Sequence, residues 1–263
     1  GLMASTDTHN ASPGAVSERA FAGHKGTDDA DDQNRLGGDD ITAGTWRDSP
    51  GGLVAVWAQN NSRDGLFEAL KRREVYGTSG PRIAVRFFAG FGLDTDLCGR
   101  ADMVERAYSQ GVPMGGDLGA PGTWSSQPTF LLQALKDPGT NDEPSAPLER
   151  LQIIKSWVDA QGRGHTQVHT LAEGEGDYRM DEQTCTAQGS GSASLCATWT
   201  DPNFDAEQHA VYYARVIAAP TCRWNTFVCD PRRGSERPQA CDDVNAPGQI
   251  NERAWTSPIW FTP

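Results

Sequence analysis

The first ten residues carry a pattern that can bind a metal ion. Asp7 and His9 follow a short strand-like run, residues 2–6, that predicts a buried strand. Side chains alternate along a strand, so Asp7 and His9 would emerge on one face. A carboxylate and an imidazole placed in this way can share one divalent ion, such as zinc, manganese or iron. The segment predicts metal ligation by Asp7 and His9, with Asn10 holding a ligand or substrate beside them. The alternative is a capping aspartate next to a turn histidine.

A second histidine stands in a glycine-flanked loop. His24 lies between Gly23 and Gly26, and such a loop can bring an imidazole and backbone close to a ligand. His24 is predicted to be catalytic, as a proton shuttle or an additional metal ligand. The alternative is an exposed loop histidine. The acidic cluster that follows is a cation site or, more typically, a solvated loop; its members are Asp28, Asp29, Asp31 and Asp32.

The turn at residues 78–82 offers groups for an anion. Thr78 and Ser79 supply hydroxyls and are predicted to bind substrate, and Arg82 offers a planar fork for phosphate, sulfate or carboxylate. The alternative is a structural turn with a salt bridge. The other histidines are predicted to be structural or exposed; they are His165, His169 and His209.

Residues 1–80 have an α/β pattern. A long polar stretch, residues 10–50, separates the first predicted strand from a second at residues 53–57. Asn61 or Ser62 can then cap a helix that runs to about Arg73. Its predicted apolar face consists of Leu66, Phe67 and Leu70. Strand, helix and strand in this order favour the last units of an α/β barrel, whose catalytic end lies at the C-terminal ends of the strands.

Residues 81–263 have a β-rich pattern instead. Turn signals separate seven predicted strands, at residues 83–88, 129–135, 151–158, around Val168, 195–199, 210–217 and 255–261. The fold class is therefore α/β plus β, with a domain boundary near residue 80. An antiparallel, sandwich-like domain is expected for residues 81–263.

The cysteines indicate an oxidising compartment. There are six, and none belongs to a CxxC pair, so disulfides are favoured over a zinc ribbon. Short polar loops favour Cys185–Cys196 and Cys229–Cys241, which leaves Cys98–Cys222 by elimination. A periplasmic or secreted protein is expected. The alternative is six free thiols in a cytosolic protein.

Composition excludes other classes of function. The net charge of −12 disfavours a phosphate backbone, so no nucleic-acid partner is expected. No apolar run approaches the roughly 18 residues of a membrane span. Eight tryptophans are compatible with carbohydrate stacking. Those in or near strands are predicted to lie in the core instead; they are Trp157, Trp199, Trp255 and Trp260.

Residues 1–14 resemble the final metal-ligand turn of PHP-type (polymerase and histidinol phosphatase) hydrolases. The whole chain is similar to the C-terminal part of a bacterial family of unknown function related to them. The further matching segments are residues 23–26, 51–61, 72–82, 111–118, 135–138, 152–159 and 252–260.

The resemblance implies C-terminal units of a PHP-like barrel and a metal-dependent, phosphoesterase-like hydrolase. Metal binding would fall to Asp7 and His9, and a metal-activated water would attack a small anionic ester. The family's other ligands precede the segment that matches this chain. The implied partner is therefore the N-terminal half of the same enzyme, either joined to this chain or as a separate chain, and this chain alone should be nearly inactive. The rival interpretation is a secreted β-sandwich module that binds a glycan or a protein, with a vestigial metal site.

Overall fold

A computed structural model describes residues 1–37, 44–120, 127–140, 143–230, 234, 237–243 and 245–263. The helices are α1 (Asp32–Gly37), α2 (Arg63–Lys71), α3 (Met103–Gln110) and α4 (Trp224–Val228), with a short 3₁₀ helix at Gln239–Asp242. The strands are β1 (Leu53–Val56), β2 (Val75–Thr78), β3 (Ala84–Gly90), β4 (Val112–Pro113), β5 (Asp117–Leu118), β6 (Thr129–Leu135), β7 (Leu148–Val158), β8 (Gly164–Glu173), β9 (Arg179–Asp181), β10 (Thr186–Gln188), β11 (Ser194–Thr200), β12 (Ala210–Cys222), β13 (Gln249–Thr256) and β14 (Ile259–Phe261). Within these ranges, no helix is long and apolar enough to span a bilayer.

The larger sheet is built around the long strand β12. One edge of β12 pairs with β7, which pairs in turn with β8. The other edge pairs with β13 and then β14, and β13 continues through β2 to β1. All of these pairings are antiparallel, while β5 adds to β14 in parallel. The sheet therefore joins strands from both sides of residue 80, and the division into domains 1–80 and 81–263 stays a prediction.

The smaller sheet has the order β11-β6-β3-β4 and is antiparallel throughout. Alternate residues of β3 face opposite sides, as the two-residue period of a strand requires. Val85 and Phe87 belong to the main core between the sheets, where they join Tyr212 of β12. Phe88 points to the other side and packs in a second core with Met103 of α3. The β-rich, antiparallel architecture expected from the sequence is confirmed.

The predicted strand–helix–strand unit is present, but its strands run in opposite directions. Ser62 caps α2 by accepting a hydrogen bond from the Gly65 amide at 3.1 Å. The strands on either side, β1 and β2, pair with each other antiparallel. Barrel units require parallel strands, so the expectation of barrel geometry for this unit is wrong. The strands that the structure describes close no barrel.

Two further local expectations are wrong. Residues 2–6 form no strand; instead they lie against β2, where a methyl group at Gly77 would approach Ala4 Cβ to 3.0 Å. The predicted apolar face of α2 is not buried, and Phe67 at its centre is 61% exposed.

The six cysteines form three disulfides: Cys98–Cys196, Cys185–Cys222 and Cys229–Cys241. The disulfides themselves and the pair Cys229–Cys241 are confirmed. The pairings Cys185–Cys196 and Cys98–Cys222 are wrong, because β11 carries Cys196 beside the second core, next to Cys98. Three disulfides are typical of a protein that folds in an oxidising compartment.

A buried ion pair joins the two sheets. Lys155 of β7 donates to the carboxylate of Asp201, at the end of β11, over 2.6 Å. Tyr212 of β12 donates its hydroxyl to the same carboxylate oxygen over 2.7 Å. Lys155 and Asp201 are almost inaccessible to solvent, so each charge depends on the other for its stabilisation.

Asp201→Asn should lower the free energy of unfolding by about 3–5 kcal/mol, because it leaves a buried ammonium group without a counter-charge. Adding Lys155→Met should restore much of the loss, since the new amide still accepts from Tyr212. Urea unfolding followed by circular dichroism measures both variants, and Asp205→Asn in the same loop, where the side chain is exposed, is the matched control. A double variant no more stable than the single one would contradict this account.

Candidate functional site

A cavity of about 710 Å³ lies beside the first residues of the chain. Its lining brings together three segments that are distant in sequence. These residues are Ser5, Thr6, Asp7, His9, His24, Lys25, Asp28, Arg47, Asp48, Ser49 and Gly51. Three predicted site residues, Asp7, His9 and His24, therefore line one cavity.

Asp7 and His9 reach this cavity from a turn and not from a strand. Asp7 has a left-handed backbone, with φ of +53°, which is incompatible with a strand at this position. The two-residue period that suggested a common face thus does not apply. The His9 amide donates to the carbonyl oxygen of His24 over 2.7 Å, and this hydrogen bond positions His9.

Asn10 strengthens the same contact between segments. Its side-chain amide donates to the carbonyl oxygen of Gly23 over 2.8 Å, and its carbonyl oxygen accepts from the amide of Ser12. Asn10 therefore ties the turn that carries Asp7 and His9 to the loop that carries His24. The structure gives it this positioning contact, and its predicted contact with substrate stays a prediction.

The His24 loop is wrapped around a buried carboxylate. Asp29 is 1% exposed and accepts from the backbone amides of His24, at 2.6 Å, and Lys25, at 2.9 Å. Gly23 has φ of +82°, and a Cβ atom there would stand 2.4 Å from the Asp29 carboxyl group. Only glycine fits this position, both for its backbone conformation and for its close approach to Asp29.

The ring of His24 has one bound nitrogen and one unpartnered nitrogen. Its Nε2 lies 2.6 Å from the carbonyl oxygen of Ser49, and a carbonyl only accepts, so Nε2 carries the hydrogen. In the neutral ring, Nδ1 is then a bare acceptor. That atom is buried and has no hydrogen-bond partner among the described residues. An orphaned buried nitrogen is the kind of group that a cation or a proton donor satisfies.

Two buried arginines hold the loops from behind. Arg223 donates to the carbonyl oxygens of Trp46, Arg47 and Asp48. Arg35 donates to those of Phe21, Asp29 and Ala30.

Trp224 also supports the loops that line the cavity. Its indole nitrogen donates to the Asp48 carbonyl oxygen over 2.7 Å, and its ring packs edge-on against Phe21 at 5.0 Å between centroids. Phe21 in turn contacts the His24 ring at 5.0 Å. The cavity wall therefore rests on a small apolar cluster as well as on hydrogen bonds.

The cavity lining carries both signs of charge. Lys25 and Arg47 supply cations, while Asp7, Asp28 and Asp48 supply carboxylates. Such a mixture can bind a metal ion and an anionic ligand side by side. Among the residues that the structure describes, however, no group of three or more histidine, cysteine, aspartate or glutamate side chains is placed to hold a metal ion.

The turn predicted to bind an anion, residues 78–82, lies outside this cavity. The Thr78 hydroxyl is buried and accepts from the Gly80 amide at 3.3 Å. The Ser79 hydroxyl donates to Glu252 and accepts from the Arg253 amide. Neither residue lines the cavity, and both hydroxyls already have protein partners.

Arg82 also lies outside the cavity. Its side chain is exposed, and its backbone amide binds the Asp137 carboxylate. The structure therefore does not bring Arg82, Thr78 or Ser79 to His24 and Asp7, and their roles toward a substrate stay predictions.

Glu252 is the most perturbed carboxyl group near that turn. Burial raises its pKa from 4.5 to about 7, which outweighs the lowering by the Ser79 hydrogen bond. The nearby carboxylate of Glu18 raises it further, and Arg253 and Arg223 lower it. Glu18 is itself partly buried, and this desolvation raises its pKa, although it accepts from the Trp224 amide.

Several cavity residues escaped prediction from the sequence. Arg47, Asp48 and Ser49 carry no local motif. Arg223 holds the carbonyl oxygens of Arg47 and Asp48, and His24 Nε2 holds that of Ser49. Asp29 was grouped with a solvated acidic cluster, yet it is the buried centre of the His24 loop. The signal that pointed toward it was the pair of glycines around His24, since both have positive φ.

The sequence model of the family described as "Protein of unknown function (DUF3604)" matches residues 1–263. No curated protein matches the chain. No solved structure matches it either.

Gly23→Ala should destabilise the protein by more than about 2 kcal/mol, because backbone strain adds to the clash with Asp29. Gly26→Ala is the matched control: its φ is +71°, but a Cβ atom there meets nothing within 4 Å. Strain alone should cost this control about 1 kcal/mol. Urea unfolding measures both, and equal losses in the two variants would show that the Asp29 contact is unimportant.

The pKa of Glu252 predicts a stability change between pH 5 and pH 8. The folded group binds its proton more tightly than the unfolded one, so its stabilisation is full below pH 4.5 and is lost as pH rises through about 7. The wild type should lose about 2–3 kcal/mol more than Glu252→Gln over this range. Urea unfolding at both values tests this; Glu143→Gln, at an exposed site, should follow the wild type, and identical profiles for all three proteins would refute the assignment.

Proposed function

We propose that this chain, which belongs to the DUF3604 family of unknown function, contributes part of the active site of a metal-dependent hydrolase. The substrate would be a small anionic ester of the phosphoester type. The observation that carries the proposal is one cavity lined by Asp7, His9 and His24 beside Lys25 and Arg47. The Nδ1 atom of His24 is buried and has no partner among the described residues.

Asp7 and His9 would bind a divalent ion: zinc, manganese or iron. An oxygen and a nitrogen donor suit these ions. Catalytic sites of this type usually need three protein ligands, and the described residues place no such group. We therefore propose that further ligands come from the N-terminal half of the same enzyme, on this chain or on a separate one. Alone, this chain would bind the ion weakly.

When bound, the ion would lower the pKa of a coordinated water and offset the charge that develops on the ester. His24 would take up the proton from that water at Nδ1, since Nε2 already donates to the Ser49 carbonyl oxygen. Asp29 would hold the backbone of His24 in place through its two amide contacts. The Asn10 side chain would keep the Asp7–His9 turn against the His24 loop.

The substrate's anionic group would meet Lys25 and Arg47, the two cations that line the cavity. Charge-assisted hydrogen bonds from an arginine and a lysine suit a phosphoester or sulfate ester. Arg82, Thr78 and Ser79, the earlier candidates for this role, would act only if a substrate extended beyond the cavity.

The resemblance of residues 1–14 to the metal-ligand turn of PHP-type hydrolases supports the same chemistry. A PHP-like barrel forms part of the proposal, but its parallel strands would belong to the N-terminal half, since β1 and β2 pair antiparallel. The three disulfides support a periplasmic or secreted enzyme.

Manganese titration followed by NMR tests the metal site directly. Mn²⁺ is paramagnetic and broadens the signals of nearby nuclei, and the chain has only five histidines. The ring signals of His9 and His24 should broaden at Mn²⁺ concentrations that leave those of His165, His169 and His209 sharp. Equal broadening of all five rings, or none, would overturn the proposed metal site.

Variants separate metal binding from ester binding. Asp7→Asn and His9→Gln should each weaken Mn²⁺ binding by about tenfold or more, whereas His209→Gln, at an exposed site, should leave it unchanged. Lys25→Gln and Arg47→Gln should retain Mn²⁺ binding but raise KM for Mn²⁺-dependent hydrolysis of p-nitrophenyl phosphate. If Mn²⁺ binds and no anionic ester is hydrolysed, even with the N-terminal half present, the site is a metal site without the proposed hydrolytic function.

A further inference from the structure

We infer that a second cavity, formed between β7, β8 and the loop that follows β11, binds a neutral saccharide. This cavity measures about 850 Å³ and shares no residue with the one described above. Its lining residues are Gln127, Lys155, Trp157, Gln167, Asn203, Phe204, Asp205, Ala206 and Gln208. The inference stands whether or not the proposed hydrolase is correct.

Two aromatic side chains supply the apolar part of the lining. Trp157, expected in the core, is only half-buried, and His165 stacks on it with ring centroids 5.2 Å apart and an interplanar angle of 18°. Phe204 is fixed by edge-on contacts with Phe91 and Phe261 at 5.4 and 4.7 Å. Rigid aromatic rings of this kind offer a surface to the C–H face of a sugar.

Side-chain amides and a carboxylate supply the polar part. Gln167 is exposed, and its amide has no hydrogen-bond partner in the described part of the chain. The indole N–H of Trp157 is also without a partner among the described residues. Gln208 donates to Asp205 over 2.8 Å, which leaves the amide oxygen of Gln208 to accept. Amides both donate and accept, as the neighbouring hydroxyl groups of a sugar require.

The charge of the cavity favours a neutral ligand. Lys155 is the cation of the lining, but its ammonium group is buried and already bound to the Asp201 carboxylate and the Asn203 carbonyl oxygen. Asp205 adds a negative charge at the surface. A phosphate or sulfate group would therefore meet no available cation among the described lining residues and would face a carboxylate. A purely apolar ligand would leave the amides unpaired, which is costly.

The loop that carries Asn203 to Gln208 is held in one conformation before any ligand arrives. Asp201 fixes its start, because its carboxylate binds Lys155 and Tyr212 and also accepts from the Asn203 amide. Asp205 closes a turn by accepting from the Glu207 amide at 2.9 Å. Preorganisation of this kind lowers the entropic cost of binding.

The test is NMR titration with a panel of neutral oligosaccharides built from glucose, mannose, galactose and xylose. The eight indole N–H signals are resolved from the backbone, and Trp157→Phe assigns the one from Trp157. At least one neutral saccharide should shift this signal saturably, with a dissociation constant near or below about 1 mM. Heparin should not displace it.

Variants identify the cavity as the binding site. Trp157→Ala, whose affinity is measured by isothermal titration calorimetry because its indole signal is gone, should weaken binding by about tenfold. Gln167→Ala, at an exposed position, should weaken it severalfold without affecting the fold. Trp260→Ala removes a tryptophan that is 45% exposed but lies outside the cavity, and it should bind like the wild type. The inference is overturned if no member of the panel shifts the Trp157 signal, if heparin binds there instead, or if the Trp157 and Gln167 variants retain full affinity.

Discussion

The contact between Lys155, Asp201 and Tyr212 is the constraint on which most of this structure depends. It lies where the two sheets meet, since Lys155 and Tyr212 come from the larger sheet and Asp201 ends a strand of the smaller one. Apolar packing between sheets is non-directional, but two hydrogen bonds to one buried carboxylate specify a single relative position. The same carboxylate starts the loop that lines the second cavity, so the packing of the sheets and the shape of that surface have a common origin.

The loops of the first cavity are fixed by hydrogen bonds from side chains to backbone carbonyl groups. No strand or helix carries Asp7, His9, His24 or Ser49; all stand on irregular segments. A buried loop needs partners for its backbone groups, and Arg35 and Arg223 supply them by donating to six carbonyl oxygens between them. An arginine fork suits this task because its donors point in several fixed directions. The loops are thus fixed by hydrogen bonds to side chains in place of a β-ladder.

The sequence predicted the strands well and their pairing poorly, for a physical reason. Residues 129–135 are a mostly apolar run followed by a turn signal at residues 137–139, and β6 has these limits; all seven strands predicted for residues 81–263 overlap observed ones. Such a pattern is local, however, and does not say which strand lies beside which. The order strand, helix and strand favours barrel units with parallel strands, whereas β1 and β2 pair antiparallel. The short loop between Cys185 and Cys196 likewise favours a disulfide that the fold does not form. In the fold, β11 carries Cys196 to the opposite side of its sheet, against Cys98.

The candidate site shows the same difference between local signals, which the sequence reveals, and contacts between distant segments, which it does not. Gly23 and Gly26 marked His24 as unusual, because glycines in a loop indicate backbone that other residues cannot adopt. A hydrogen bond between residues fifteen positions apart, from the His9 amide to the His24 carbonyl oxygen, brings Asp7 and His9 to the same cavity as His24. No periodicity encodes such a contact. The strand geometry from which a common face was inferred is absent, since Asp7 turns into a left-handed conformation. The turn nevertheless carries both side chains to the cavity. Asn10 and His9 donate to the consecutive carbonyl oxygens of Gly23 and His24. These two hydrogen bonds fix how the Asp7–His9 segment packs against the His24 loop.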